Sequence, residues 1–239
     1  MPKFFIDQKD FLENVVLIGE NLKHLTVLRY KVGDNVIVCN GQGIDLFCEI
    51  ISISKNEAIL KILEIQSSKS EPTTKVFLFQ GLPKSDKMEY IIQKAVELGV
   101  YEIIPVITHS SQVKLNDKSS KKVERWQKIS ESAAKQSGRG IIPVVREPLN
   151  FESALKSLNS LDESYVAYEK EESSKNIFET RTASSVGIFI GPEGGFTEKE
   201  ILNCMSHKIL PISLGSRILR TETASISAIS ILMYVKGEL

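Results

Sequence analysis

Within Ile190 to Glu200 ("IGPEGGFTEKE"), the five residues Gly191 to Gly195 set three glycines, a proline and a glutamate after the apolar stretch "SVGIFI". Thr197 and Glu200 have capping-box spacing, so a helix is expected to start near Glu198. Buried strand, bare loop and helix N-terminus together present backbone N–H groups to a ligand. A phosphate is the obvious ligand, and the residues speak against it. Neither GxxxxGK[ST] nor GxGxxG is present, no Lys or Arg falls between Ile190 and Thr197, and Glu193 would repel a polyphosphate. A ligand that is neutral or cationic at this point fits better. A tight strand-to-helix turn with no ligand is the plain alternative.

A second loop strengthens the reading. "ISLGSRILRTETASISAIS" leaves the apolar strand "KILPISL", turns at Gly215 and enters a helix near Thr221. Residues 221–235 hold one charge, Glu222, among Ala, Ser, Thr and apolar residues. A helix apolar nearly all round must be covered on more than one side. Burial between the sheet and a second subunit is the preferred reading; the central helix of a larger monomer is the alternative. Both loops leave the carboxyl ends of strands. In a parallel sheet those ends share one edge, where ligands bind. The two glycine loops, with Arg220 and Glu222, are therefore expected around one pocket.

The elements that must hold these loops are legible in outline. The first 70 residues read as strands: "NVIVCN", "IDLFCEIISI" and "AILKILEI", with "NGQG" (Asn40 to Gly43) as a hairpin turn. One short helix is expected at "ENLKHLTVL". Together they suggest a small β-barrel over residues 1–70. "QSSKSEPTT" (Gln66 to Thr74) suits a linker. From residue 74 to 239 strands and helices alternate, which implies a mostly parallel sheet with helices on its faces. Met88, Ile91, Ile92, Ala95 and Leu98 share one helical stripe that Gly99 can end, and residues 118–137 form a long amphipathic helix stopped by Gly138. Trp126 on that helix reads as core.

With 239 residues and 42% apolar composition the chain can bury a sizeable core. The cysteines (Cys39, Cys48, Cys204) lack CxxC spacing, so no disulfide framework or metal site is expected. No stretch has the length and hydropathy of a membrane span or secretory signal, and a cytoplasmic protein is the default expectation. Net charge is zero, but residues 75–146 carry 13 Lys/Arg against 7 Asp/Glu, and residues 147–200 carry 5 against 11. A basic block of that kind can present one face to a polyanion. Solvated helices whose charges cancel in space are the alternative.

The motifs "IGPEGGFTEKE" and "LGSRILRTETA" together resemble the cofactor loops of the ribosomal RNA small subunit methyltransferase E family, of the SPOUT class. "HLTVLRYKVGD" (His24 to Asp34) resembles that family's PUA-like barrel. "KMEYIIQKAVELGV" (Lys87 to Val100) and "WQKISESAAKQSGRGIIP" (Trp126 to Pro143) resemble its first catalytic-domain helices. The resemblance covers nearly the whole chain.

It implies an α/β fold: a PUA-like β-barrel domain that binds RNA, then a SPOUT-type parallel sheet with a C-terminal trefoil knot. It implies a homodimer, and S-adenosyl-L-methionine-dependent methylation of uridine N3 in small-subunit (16S) ribosomal RNA, in the free rRNA or an assembled subunit. S-adenosylmethionine carries a sulfonium cation and no phosphate, which makes Glu193 compatible with it. Carried over residue by residue, the cofactor would meet Ile190, Gly191, Glu193 and Gly194 on the first loop. On the second it would meet Leu214, Gly215, Ile218, Leu219 and Arg220, with Ile218 and Leu219 covering the adenine faces.

Methylation at N3 requires loss of its proton, so the pocket must supply a base or stabilise the anion. Arg220 is the choice for the anion and Glu222 the nearest candidate base, with a dipole-favoured helix carboxylate as its other role. The three histidines lie outside the loops and receive no role. RNA contacts are expected from the barrel, from Lys84 and Lys87, and from Lys114, Lys121, Lys122, Arg125 and Arg139, as phosphate contacts that position without specifying. Two positions depart from the family's pattern. Lys3 and Ser110 stand where arginines are common; Lys3 keeps the charge as an RNA contact without bidentate reach, and Ser110 loses it. Other readings are a SPOUT ribose 2′-O methyltransferase, or an RNA-binding assembly factor without catalysis.

Overall fold

The β-branched runs of the N-terminal part become a five-stranded sheet in the computed structural model, which describes residues 3–6, 13–111, 119–171 and 182–239. Two units are distinguished: Met1–Glu71 with Ala134–Ile142, and Pro72–Ala133 with Pro143–Leu239.

The first unit contains β1 (Lys3–Phe5), β2 (Asn14–Ile18), α1 (Gly19–Val27), β3 (Asn35–Cys39), β4 (Ile44–Ile53) and β5 (Glu57–Ser67). The strand order is β1-β3-β4-β5-β2, with β1 parallel to β3 and the other pairs antiparallel. Alternation sends Val36, Val38, Leu46, Cys48, Ile50 and Leu60 into one core with Leu17 and Leu25. Register shifts between β4 and β5, at Phe47/Cys48 and Ile50/Ser52, bend the sheet around that core. In the β3–β4 turn the Asn40 side chain accepts the N–H groups of Gln42 and Ile44, at 2.8 and 3.1 Å.

The segment "SGRGI" belongs to this unit although it follows the second unit's long helix in sequence. Glu71 fastens it. Its carboxylate accepts from the Arg139 guanidinium at 2.6 Å and from the backbone N–H groups of Gly140 and Ile141 at 2.6 and 3.1 Å. A Cβ on Gly140 would lie 2.2 Å from that of Ser68, so only glycine fits. Residues 134–142 thus group with the first unit as a returning strap, and Glu71, in the stretch read as a linker, anchors it.

The second unit contains β6 (Lys75–Gly81), α2 (Lys87–Glu97), β7 (Glu102–Ile107), α3 (Ser119–Ser137), β8 (Val144–Val145), β9 (Leu149–Asn150), α4 (Phe151–Leu158), β10 (Glu163–Ala167), β11 (Ser185–Ile190), α5 (Glu198–Ser206), β12 (Leu210–Ile212) and α6 (Thr221–Lys236). The last turn of α3 groups with the first unit. The strand order is β12-β10-β11-β6-β7-β8, β9 also pairs with β7, and every pair is parallel. Helices cover the faces, so the central strands bury nearly continuous apolar runs: Ile188, Phe189 and Ile190 on β11, Leu78 and Phe79 on β6. Helix α2 buries Met88, Ile91, Ile92 and Ala95 as the stripe predicts, and Trp126 is core.

Strands β8 and β9 and helix α4 were not legible as elements, the strands because two residues carry no periodicity. The signal for α4 was present: Asn150 caps it by accepting the Ser153 N–H at 2.8 Å. Among the described residues no helix is long and apolar enough to cross a membrane.

A cavity at the carboxyl ends of the parallel strands

The site grows from the ends of three adjacent strands, β12, β10 and β11, where the chain leaves the sheet into loops. A cavity of about 450 Å³ opens there, within the size range of small-molecule pockets. Ile190, Gly191, Glu193 and Gly194 line it from the β11 loop. Leu214, Gly215, Ile218, Leu219 and Arg220 line it from the β12 loop. The two loops that the sequence sets 20 residues apart thus share one wall-to-wall space. Ala167, Tyr168 and Glu169, at the end of β10, also line it and were missed by sequence reasoning. The rule that ligands bind at strand ends applied equally to "SYVAYE"; the absence of glycine there hid the signal.

The glycines have separate physical reasons. Gly215 sits at φ +104° with nothing within 4 Å of a would-be Cβ, so its need is conformational. Gly191 is closely packed: a Cβ would lie 3.2 Å from both Gly195 Cα and the Phe196 ring, so a side chain there would push the loop outward. A Cβ on Gly194 would lie 2.9 Å from the Cβ of Ser110. Bulk at 194 is thus excluded by packing against the loop after β7. The small Ser110 is that neighbour. The capping box forms as predicted, with the Thr197 side chain taking the Glu200 N–H and the Glu200 carboxylate taking the Thr197 N–H. Glu200 also accepts the His109 backbone N–H at 2.9 Å, tying the same β7 loop to the glycine loop.

A buried polar network joins the two loops. The Thr221 hydroxyl, at the start of α6, donates to the Gly191 carbonyl at 2.6 Å and accepts from the Gln80 amide at 3.0 Å. The same Gln80 amide nitrogen donates to the Gly81 carbonyl at 2.9 Å. Ser225, one turn on, lies 2.5 Å from the Gln80 carbonyl oxygen and 2.9 Å from the Thr221 carbonyl, and its one proton serves either acceptor. Gln80, Thr221 and Ser225 are all buried. Gln80, the one polar side chain after Lys75 in "KVFLFQGL", was the sequence signal for this network.

Glu193 answers to two lysines. Its carboxylate accepts the Lys84 backbone N–H at 3.1 Å and pairs with the Lys87 ammonium at 2.8 Å. Partial burial pushes its pKa up, but Lys87 and the backbone N–H groups outweigh this and hold it below the usual carboxylate range. Its tolerance in a bare loop thus has a cause inside the protein: it latches the loop to the start of α2. Lys87 also stands 3.9 Å from Glu222, whose Oε2 is buried without a hydrogen-bond partner. Glu222 is not itself on the cavity lining, whereas Arg217 and Arg220 are. Ile218, expected to cover an adenine face, lines the cavity while 88% exposed.

Two residues expected to contact RNA are engaged in ion pairs of the first unit. Arg139 is 3% exposed and is spent on Glu71, and the Lys3 ammonium is buried against Asp45 at 2.7 Å with Ser68 at 2.9 Å. Both hold the first unit together and offer no free cation. Lys121 and Lys122 are exposed on α3; Arg125 is exposed while paired to Glu89 at 2.8 Å. Lys84 is exposed. Lys114 lies outside the described residues.

The pocket fits S-adenosylmethionine in its chemistry. Its floor is bare backbone, its lining residues carry both charge signs, and no glycine-loop cation demands a phosphate. Comparison with known proteins agrees. An RNA methyltransferase domain family matches residues 69–233, and an RNA methyltransferase PUA domain family matches residues 17–63. The ribosomal RNA small subunit methyltransferase E of Bacillus subtilis strain 168 is 38% identical over 249 residues, spanning 98% of this chain and 96% of the relative. That of Buchnera aphidicola subsp. Acyrthosiphon pisum is 34% identical, spanning 100% and 95%. A crystal structure of a ribosomal RNA small subunit methyltransferase E from Neisseria gonorrhoeae, bound to S-adenosyl methionine, has a TM-score of 0.85 at 30% identity and covers 98% of both chains.

Proposed function

Because the chain belongs to the ribosomal RNA small subunit methyltransferase E family, we propose that it methylates uridine N3 in small-subunit ribosomal RNA, with S-adenosylmethionine as methyl donor. The observation that carries the reading is the convergence of both motif loops on one cavity. When bound, the donor supplies an electrophilic methyl group on a sulfonium. The residues of the chain do the rest. Backbone groups of Gly191, Gly194, Leu214 and Gly215 bind the donor's polar edges, and Ile190, Ile218 and Leu219 supply apolar contact.

Neutral N3 has no lone pair free for attack, so its proton must go first. Glu222 is the proposed base: its Oε2 is buried without a hydrogen-bond partner, with the Lys87 ammonium 3.9 Å away to hold it ionised. Arg220, exposed on the cavity, stabilises the anion that forms. Lys84, Lys121, Lys122 and Arg125 contact phosphates, as does the PUA-like domain. The barrel boundary near residue 70, the trefoil knot, the homodimer and a cytoplasmic location belong to the same reading. The knot is supported by the chain's path. From β12 at the sheet edge it must cross the ends of β10 and β11 to bring α6 against α2, β6 and β11. The homodimer is supported by α6, which buries Ala228, Ile229 and Leu232 on one side and leaves Tyr234 76% exposed on another.

Two measurements test the proposal. Titration with S-adenosylmethionine should show binding in the micromolar range, about −8 kcal/mol. Mass spectrometry of ribosomal RNA nucleosides from cells lacking the protein should show 3-methyluridine lost from one small-subunit position. Full retention of that nucleoside would overturn the assignment.

A further inference from the structure

The end of β10 supplies a third wall to the cavity, and its Glu169 has no part in the scheme above. Glu169 is exposed, and among the described residues it has neither a hydrogen bond nor an ion pair. Its neighbour Lys170 is taken by Glu198 at 2.8 Å. The carboxylate lies against the glycine loop: a Cβ on Gly195 would stand 3.5 Å from each of its two oxygens. Gly195 is also held at φ +64°, a conformation that side chains other than glycine's rarely take. The loop thus leaves both acceptor oxygens uncovered beside bare backbone.

Resting on the S-adenosylmethionine reading, we propose that Glu169 holds the ribose diol of the donor. The sheet order gives the position. β10 lies between β12 and β11, so its end sits under the span between the two loops. A ligand bridging those loops puts its middle over Glu169, and the middle of S-adenosylmethionine is the ribose. Two carboxylate oxygens match two vicinal hydroxyl donors, the match that an acidic residue makes with a ribose in dinucleotide-binding sheets. The donor's sulfonium has no hydrogen to give. Its methionyl carboxylate would be repelled by Glu169 and attracted by Arg217 and Arg220, which line the same cavity.

The test compares three ligands on the full chain by calorimetry: S-adenosylmethionine, S-adenosylhomocysteine, which lacks the sulfonium charge, and 5′-methylthioadenosine, which also lacks the amino-acid tail. All three keep the diol. Glu169→Ala should weaken all three by a common factor of about ten, with Glu169→Gln intermediate because one acceptor oxygen survives. Unfolding followed by Trp126 fluorescence checks that both variants fold, and Glu169→Gln carries the test should the alanine variant fail. Unchanged affinities overturn the proposal. So does a loss confined to S-adenosylmethionine, which would make Glu169 a sulfonium partner, or one that spares methylthioadenosine, which would make it a partner of the amino group. Failure of the unaltered protein to bind any of the three overturns the methyl-donor reading itself, and the diol assignment with it.

Discussion

Replacing Thr221 with valine removes one hydroxyl and keeps the branched shape. The Gly191 carbonyl then loses the donor at 2.6 Å, and the Gln80 amide loses its acceptor at 3.0 Å while keeping the Gly81 carbonyl. Water cannot easily replace either partner, because Thr221 is 4% exposed and Gln80 fully buried. Leaving one buried polar group unsatisfied costs about 1–3 kcal/mol. The two losses sit in one network and do not add, so about 2 kcal/mol is expected in total. The change also frees the start of α6 from the β11 loop, so the two walls of the cavity lose their common tie. Urea unfolding read by Trp126, the single tryptophan and a core residue of the second unit, should show the midpoint fall by about 1 M at a slope near 2 kcal/mol/M. Affinity for S-adenosylmethionine should fall about tenfold. Thr221→Ser, which keeps the hydroxyl, should restore most of both. A valine variant with an unmoved midpoint and unmoved affinity would refute the claim that this network aligns the loops.

Two further outcomes follow from the ion pairs. Arg139→Ala leaves Glu71 without its cation in a buried setting, and should destabilise the first unit by about 3 kcal/mol, seen as faster hydrogen exchange in β3 and β4. Lys121→Ala with Lys122→Ala should instead leave exchange unchanged, weaken RNA binding and lower the slope of its salt dependence by about one for each lysine removed. The Glu193 latch is pH-dependent with a definite sign. Its folded pKa is depressed, so its contribution is complete above the ordinary carboxylate value of about 4.3 and fades as pH falls through the lowered value. Glu193→Gln should therefore be less stable than the unaltered protein near neutrality, by less than about 1 kcal/mol for so exposed a pair. The two should converge in acid, as read by Trp126 unfolding curves taken across pH; a gap that persists in acid would contradict the latch.

Local signals made both motif loops readable from the chain. Glycine content, the Thr197–Glu200 capping box and the apolar run of β11 are properties of neighbours in sequence, set by backbone sterics and burial. The stripe of α2 and the alternation of β3 to β5 were legible for the same reason. What the chain did not disclose depends on partners far apart in sequence. Glu193 lines the cavity as expected of a ligand contact and is also a latch, because Lys84 and Lys87 come to it from more than 100 residues away. Arg139 and Lys3 looked like surface cations and are buried and half-buried respectively, because Glu71 and Asp45 face them within the first unit. Gly194 is bare because of Ser110, and Glu169 joins the cavity because β10 lies between β12 and β11. Residue type and spacing fix which conformations a segment favours. Whether a charge meets water, a counter-ion or a ligand is decided only when the sheet order brings distant strand ends side by side.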